Sequence, residues 1–498
     1  YNALPVFTTG ERNVAVGQSA LGNATTGYRN VSIGDRANAG VSSGHSNVAI
    51  GYLAGYGGNV SGNVAIGAEA LFTANGSSNV AVGMEAGRYT TANDGVWVGK
   101  SAGGTGAGGG QSVIIGNYAG RYIVGSQVVH VGRFAGYYAT GSYNTFVGYE
   151  AGKGGTTSAP YSSGQQNTAM GYQALAGHTT GYQNVAVGYR AGQDLTTAYY
   201  STLLGYEAGL NVTTGNVNTL IGWQAGYAMT DTSNKVAIGY RAGYADGGAM
   251  DVHIGYEAGR NVTAGDNISI GRSAGQGYHG VSQTEFQANT TNRYNVSIGN
   301  FAGQRAIGTS NVHIGHEAGM NASGSNNTFI GYEAGIGGTT SAPYSSGQYN
   351  TAVGYRAFEE FTTGGYNAIL GQEAGEKITT ADSNALLGYR AGRNLTTGGG
   401  NVVIGYEAQR DENVTEVVIV GARAGLYNSG ADNVFVGNAA GRNSGAGTDQ
   451  VIIGHDAGYY AHNNDVVIIG ESAGYYATGS YNTFVGKEAG KGGTTSAP

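Results

Sequence analysis

Three histidines are the residues of this sequence whose surroundings first suggest chemistry. His130, His253 and His313 each stand between two aliphatic residues, in the triplets Val-His-Val and Val-His-Ile. If copies of the chain met at these positions, imidazoles from three copies could bind a metal or an anion. Histidines in apolar strands more often pack and hydrogen-bond, so we expect neither a metal nor any other cofactor.

Aromatic and charged residues recur at fixed distances after a glycine. The residue directly after it is often aromatic, as at Tyr149, Tyr172, Tyr189, Tyr206, Trp223, Tyr240, Tyr256, Tyr332 and Tyr355. The next residue often alternates in charge, as at Arg190, Glu207, Gln224, Arg241, Glu257, Arg356, Glu373, Arg390, Glu407 and Arg423. We expect stacked rings beside a column of attracting charges. The alternatives are a tyrosine stripe that binds carbohydrate or a partner, and a solvated face whose charges alternate by accident.

Three stretches interrupt the regular spacing and are the best candidates for recognition. Residues 153–165 and 336–348 are matched loops, and residues 276–294 form a longer insertion. Insertions in repeat proteins usually emerge on one face and often bind partners. The candidate recognition residues are Pro160, Tyr278, His279, Glu285, Phe286 and Pro343. Spacer or glycan-bearing loops are the alternative.

The composition argues against several classes of protein. Of the 498 residues, 94 are glycine and only 4 are proline, which fits neither collagen nor a proline-rich linker, and 37 tyrosines argue against disorder. The chain has no cysteine, so it has no disulfide. A net charge of −7 without a basic patch argues against nucleic acid as a partner. No apolar run reaches the roughly eighteen residues of a membrane-spanning helix.

Internal repetition explains the fixed distances. The repeat Asn-Val-x-Ile-Gly-x-x-Ala-Gly occurs twenty-eight times, with its first glycine running from Gly17 to Gly486 at spacings of 16 or 17 residues, except for two of 23 and one of 28. The Val-x-Ile triplet predicts a strand, the glycine permits a bend, and a following Thr-Thr-Gly can form a return strand and a turn. We therefore predict an all-β fold, a parallel β-solenoid or β-roll of about 28 coils of 16–17 residues.

Two other positions of the repeat support stacking. Alanine stands three residues after the first glycine in all twenty-eight copies, which indicates a narrow, buried site. Asparagine often precedes the triplet, as at Asn13, Asn30 and Asn47, and predicts a ladder of amides that hydrogen-bond along the stack.

A longer period divides the chain into three modules. Related segments begin at Tyr1, Tyr172 and Tyr355, so the modules are 1–171, 172–354 with the insertion 276–294, and an incomplete 355–498. Because neither end carries an atypical capping repeat, we expect an interior segment of a longer repetitive protein.

The triplets are apolar on both faces. We expect their first and third residues to fill the coil and the middle residue to face outward, yet only six of the twenty-eight middle residues are polar. A strand that is apolar on both faces is normally covered on both. Another copy of the chain is the simplest cover, so we expect side-by-side self-association, most simply as a homotrimer within a longer fibre.

The repeat also carries a family resemblance. Asn-Val-Ala-Ile-Gly-x-x-Ala, at 47–54 and 63–70, resembles the head repeats of trimeric autotransporter adhesins, and similar β-roll repeats occur in trimeric phage tail fibres. The likeness covers nearly the whole chain, although this coil is longer than the typical head repeat and no coiled-coil heptads, neck or membrane-anchor strands are present. The resemblance implies a left-handed β-roll, three chains side by side and a role in surface adhesion.

These observations favour a structural extracellular fibre or adhesin shaft at the cell surface. The alternative is a phage tail fibre, on the virion tail, that binds a host receptor or surface glycan. A polysaccharide-active enzyme would need acidic residues clustered in a groove, whereas here they are spread one per coil, and no His-Glu-x-x-His or Gly-x-Ser-x-Gly motif occurs. We therefore predict that the protein is not an enzyme.

Overall fold

The protein is an all-β solenoid, as predicted. The structure is a computed structural model that describes residues 8–73, 75–106, 108–159, 161–262, 264–277, 292–338 and 345–492. No helix occurs among these residues. The chain divides into two compact units, Tyr1–Tyr244 and Ala245–Pro498. The three modules of the sequence describe its repetition and stay a prediction.

The first unit contains fourteen strands, one for each repeat. They are β1 (Val14–Val16), β2 (Val31–Ile33), β3 (Val48–Ile50), β4 (Val64–Ile66), β5 (Val80–Val82), β6 (Val96–Val98), β7 (Val113–Ile115), β8 (Val129–Val131), β9 (Thr145–Val147), β10 (Thr168–Met170), β11 (Val185–Val187), β12 (Thr202–Leu204), β13 (Thr219–Ile221) and β14 (Val236–Ile238).

The second unit contains another fourteen. They are β15 (Val252–Ile254), β16 (Ile268–Ile270), β17 (Val296–Ile298), β18 (Val312–Ile314), β19 (Thr328–Ile330), β20 (Thr351–Val353), β21 (Ala368–Leu370), β22 (Ala385–Leu387), β23 (Val402–Ile404), β24 (Val418–Val420), β25 (Val434–Val436), β26 (Gln450–Ile453), β27 (Val466–Ile469) and β28 (Thr483–Val485).

Within each unit, consecutive strands pair in parallel and keep the register of the repeat. Between β11 and β12, for example, Val185 lies opposite Thr202 and Val187 opposite Leu204. Equivalent residues of neighbouring coils therefore lie one strand spacing apart, about 4.8 Å. This register turns each position of the repeat into a column that runs along the unit.

The side of the strand that faces the interior is opposite to our expectation. From β2 to β27 the middle residue of the triplet is buried, while the first and third residues are partly or largely exposed. Trp97 and Phe146, two of the largest middle residues, are fully buried, whereas Leu204 is 44% exposed. Alternation fixes which residues share a face but not which face is inside, and here both faces are apolar.

The glycine and the alanine have the structural roles that the repeat suggests. Gly437 has a φ of +140°, and a Cβ at this position would lie 2.5 Å from the carbonyl oxygen of Gly454 in the next coil. The glycine thus serves both the bend and the close approach of neighbouring backbones. Every alanine of its column from Ala20 to Ala473 is completely buried.

Non-glycine residues in the left-handed region are a feature that we did not predict. In all twenty-eight copies, the second residue after the glycine has a positive φ, as with Arg190 (53°) and Glu207 (52°). This conformation costs roughly 1–3 kcal/mol per residue for a non-glycine side chain. Coil-to-coil bonds hold it in place, since the Glu207 N–H donates to the Tyr189 carbonyl at 2.8 Å.

The predicted return strand is absent from the described residues. At the Thr-Thr-Gly positions the chain bends, and only isolated bridges such as Ala139–Ser162 are extended. The threonines still link the coils, because the Thr179 N–H and hydroxyl both donate to the Thr196 carbonyl, at 2.9 and 3.1 Å. Each coil therefore has one strand, and its other sides are stacked turns.

The asparagine ladder is confirmed, with the backbone as its main partner. The Oδ1 atom of Asn350 accepts the backbone N–H of Asn367 in the next coil at 3.0 Å. Its Nδ2 donates to the Gly364 carbonyl at 2.9 Å. Both asparagines are buried. Each amide thus satisfies two buried backbone groups of the turns that the repeat leaves outside the sheet.

Candidate functional site

An exposed column of stacked rings runs along the first unit. Tyr149, Tyr172, Tyr189, Tyr206, Trp223 and Tyr240 stack in sequence with centroid separations between 4.8 and 5.9 Å and interplanar angles of 5–11°. In the second unit, Tyr332 stacks on both His316 and Tyr355. The predicted ring stack is confirmed. Since neighbouring rings cover one another's faces, only ring edges and hydroxyls face solvent, which favours the structural interpretation over carbohydrate stacking.

In the second unit, the charged column beside the rings forms ion pairs between neighbouring coils. Arg390 donates from Nε to Oε2 of Glu373 at 2.7 Å, and Arg423 does the same to Glu407 at 3.1 Å. Burial raises the pKa of Glu407, but hydrogen bonds from Arg410 and Arg423 outweigh it and hold the pKa below its usual value. The predicted attraction between neighbouring coils is therefore confirmed in the second unit, whereas in the first unit Arg190 and Arg241 donate to Gln173 and Gln224.

Arginines also connect the two columns. The guanidinium of Arg241 lies 4.9 Å from the Trp223 ring centre, and that of Arg390 lies 4.8 Å from the Tyr389 ring centre. Such cation–π contacts add to the ion pairs at a partly exposed surface. The arrangement orders this face of each coil and leaves its arginines engaged within the chain.

The three histidines of the sequence prediction lie inside the coil and do not face a partner. His130, His253 and His313 are all buried, because they are middle residues of the triplet. The hypothesis that the same histidine from several copies forms a binding site is therefore wrong. The His130 ring stacks on Phe146 with a centroid separation of 5.0 Å, and neither of its ring nitrogens has a hydrogen-bond partner.

Burial gives these rings an unusual acid–base character. Burial, helped by nearby His178, lowers the pKa of His130 to about 3. Burial alone lowers the pKa of His313 to about 4. His178, which the sequence analysis missed because it lies in a turn, is also buried, and burial lowers its pKa to about 4 against an opposing bond to the Leu175 carbonyl. These groups are interior packing residues that strongly prefer the neutral state.

His253 differs because it lies beside carboxylates. Its Nε2 lies 2.8 Å from Oδ2 of Asp246, and one potential ligand atom each from His253, Asp246 and Asp251 fall within 4.8 Å of one another. This trio is the group among the described residues that could hold a metal ion. Both carboxylates already accept backbone N–H groups, from Gly248 at 2.9 Å and Asn267 at 2.7 Å. Asp251 stands where other copies have asparagine, so its bond to the Asn267 N–H replaces one step of the asparagine ladder.

The six candidate recognition residues lie outside the described residues. They are Pro160, Tyr278, His279, Glu285, Phe286 and Pro343. The described flanks show where the matched loops rejoin the coil: Ser162 and Ser345 form equivalent parallel bridges, to Ala139 and Ala322. The centre of the Tyr161 ring, within the first loop, lies 4.7 Å from that of Tyr122, and Tyr161 so extends an aromatic cluster.

An aliphatic strip covers the outward face of the strands. We define this strip as the first and third residues of the triplets, all of them Val, Ile, Leu, Met, Thr or Ala. At β21 and β22 the strip contains a shallow groove of about 440 Å³. Ala368 and Ala385 line its floor, and Leu370 and Leu387 lie beside them. The strip faces solvent in the isolated chain.

Comparisons with known proteins do not place the chain in a family. No protein-family model matches the chain, and no curated protein matches it either. Within the described residues, no helix has the length and apolar character needed to cross a bilayer.

Proposed function

We propose that this protein is a non-catalytic structural shaft, displayed outside a cell as part of a fibre or adhesin. The observation that carries the proposal is the unbroken parallel pairing of strands from coil to coil within each unit. The strand ladder, the buried asparagines and the ion pairs all join one coil to the next. Repeats of this kind gain stability from neighbouring copies and can extend to any length.

The use of the charged groups supports a non-catalytic role. Glu373 and Glu407 are held by arginines of neighbouring coils, and their side chains are largely buried in those contacts. Acids committed in this way are poor general acids or bases. The extracellular location and adhesion are supported by the resemblance of the repeat to adhesin head repeats, which also supports an assembly of three chains.

Immunogold electron microscopy of the source cells tests this proposal. An antibody raised against the purified chain should label filaments that project from the cell surface, and pre-immune serum serves as the control. Label on the tails of released phage particles would instead identify the tail-fibre alternative. Label confined to the cytoplasm would refute an extracellular shaft.

A further inference from the structure

One stretch of the first unit carries positive charge and no negative charge. Residues 95–149 contain no Asp or Glu, although the whole chain has 31 acidic residues and a net charge of −7. The cations of this stretch are Lys100, Arg121 and Arg133. A local excess of positive charge on an acidic protein is a surface that attracts anions.

The fold brings these three cations together although they are far apart in the sequence. The Lys100 Nζ atom lies 5.6 Å from the ring centre of Tyr118, and the Arg121 guanidinium lies 5.1 Å from it. The Phe134 ring stacks on Tyr118 at 5.6 Å, and the Arg133 guanidinium lies 4.8 Å from the Phe134 ring centre. Three successive coils thus contribute one cation each to a single aromatic cluster. We call these five residues the cationic patch.

The patch exists because its coils reverse two columns of the repeat. In the second unit, the first residue after the glycine is often aromatic and the second is usually charged. In the patch, Lys100 and Arg133 are first residues, whereas Tyr118 and Phe134 are second residues. The cations therefore lie outside the alternating column that pairs arginine with glutamate elsewhere.

The acidic residues that flank the stretch do not neutralise the patch. Glu85 pairs with Arg88 at 3.3 Å, and Glu150 pairs with Lys153 at 3.1 Å. Among the residues that the structure describes, no ion pair joins a carboxylate to any of the three cations. Their charge is therefore available to a ligand.

The rings hold the cations in place without using their hydrogen-bond donors. A guanidinium that lies over a ring keeps the N–H groups along its edge, and these match a carboxylate with two parallel bonds. Lys100 and Arg133 are exposed, and Arg121 is half-buried. Nucleic-acid bases would need an open ring face, but Tyr118 lies between Lys100 of the preceding coil and Phe134 of the next. The patch therefore favours a carboxylate-bearing ligand over a nucleic acid.

Tyrosines extend the patch on one side. The Arg121 guanidinium lies 5.9 Å from the ring centre of Tyr122, whose ring stacks on Tyr138 at 5.4 Å. Tyr161 joins the same group, and all three tyrosines are half-buried. A phenol hydroxyl both donates and accepts hydrogen bonds. Such groups beside a row of cations suit a ligand that carries hydroxyls as well as carboxylates.

We propose that the cationic patch binds an acidic polysaccharide, with its carboxylates on Lys100, Arg121 and Arg133 and its hydroxyls on the neighbouring tyrosines. Successive coils lie about 4.8 Å apart, so an extended polymer that lies along the stack meets the three coils in turn. The proposal rests on the proposed extracellular shaft, which would meet such polymers at cell surfaces, and it gives that shaft a ligand.

Calorimetric titration of the full chain with polygalacturonate tests the proposal. The wild-type chain should bind this polymer, should bind it less well as the salt concentration rises, and should not bind neutral dextran. The variant Arg121→Gln/Arg133→Gln should bind at least about tenfold more weakly, because it loses two charge-assisted contacts. Arg29→Gln is the matched control and should bind like wild type, since Arg29 is exposed and lies 5.7 Å from the Tyr28 ring centre but outside the patch.

Three results would overturn the proposal. They are a wild-type chain that does not bind polygalacturonate, a double variant that binds it as tightly as wild type, and tighter binding of single-stranded oligothymidylate than of polygalacturonate. Circular dichroism checks that the variants are folded. None of these results depends on where the immunogold label lies, so a failure of the ligand is distinguishable from a failure of the extracellular shaft.

Discussion

Acid should destabilise the solenoid locally through its buried neutral histidines. His130, His178 and His313 are buried, and burial lowers their pKa values to about 3, 4 and 4. In the unfolded chain these rings have an ordinary pKa of about 6.5. The unfolded state therefore binds protons that the folded state rejects. The stability that the neutral rings contribute is complete above pH ~6.5 and is lost as the pH falls towards the folded pKa values.

The size of the effect follows from the gap between the two pKa values. Each pH unit below the unfolded pKa costs about 1.4 kcal/mol per ring until the folded pKa is reached. Near pH 5 each ring should therefore cost about 2 kcal/mol. The paired carboxylates of Glu373 and Glu407 have lowered pKa values, so their contribution is lost only at lower pH. Burial raises the pKa values of Asp194 and Glu359, but both lie outside the region that holds His130 and His178, so a local measurement separates them from these histidines.

Hydrogen exchange read by mass spectrometry locates the loss. Since coils contact mainly their neighbours, the region 129–187, which holds His130 and His178, should open at pH 5 more than the region 48–82, whose middle residues are alanines. The intrinsic exchange rate at each pH is measured on the unfolded peptides, and the protection of the folded chain is calculated relative to it. Equal protection changes in the two regions would show that the buried rings do not control acid stability.

A substitution provides the second readout. Phenylalanine occupies the position of His130 in the next coil, as Phe146, so His130→Phe fits the same interior. The variant should lose about 2 kcal/mol less than wild type between pH 8 and pH 5. His455→Phe is the control, because the His455 side chain is 60% exposed. A wild-type pH dependence in His130→Phe would refute the reasoning.

Three further predictions test the columns of the coil by thermal and urea unfolding. Gly437→Ala should destabilise more than Gly62→Ala, since both glycines have positive φ (cost roughly 1–3 kcal/mol) but only a Cβ at Gly437 would meet a carbonyl of the next coil; equal losses would remove the close-approach argument. Arg390→Glu should lower stability by up to about 1 kcal/mol, and adding Glu373→Arg should restore part of it; an additive double variant would mean that the pair is not coupled. Asn384→Leu should cost about 1–3 kcal/mol by leaving buried backbone groups without partners, and Asn384→Ser, as in the copy at Ser201, should cost less.

The stacking of coils could be predicted from the sequence because several positions of the repeat indicate it independently. Asparagine, glycine and alanine recur at spacings that only a stack of coils explains, and the structure places them in columns within each unit. The left-handed conformation of the second residue after the glycine could not be predicted, because Arg190 and Glu207 are not types that favour a positive φ. Their conformation is imposed by bonds between coils, which a single repeat does not show.

The wrong assignment of the interior face has a physical reason, and the sequence contains a signal that resolves it. Both faces of the triplet are apolar, so alternation alone leaves the choice open. The residue after the alanine, however, is a large apolar residue only in copies whose middle residue is alanine, as with Phe358 and Ala352. It is glycine in every copy whose middle residue is Phe or Trp, as with Gly335 and Phe329. A Cβ on Gly335 would overlap the Phe329 ring. Two positions that trade volume in this way fill one cavity. The middle residue must therefore share the interior with the alanine corner, and the first and third residues must form the outward strip.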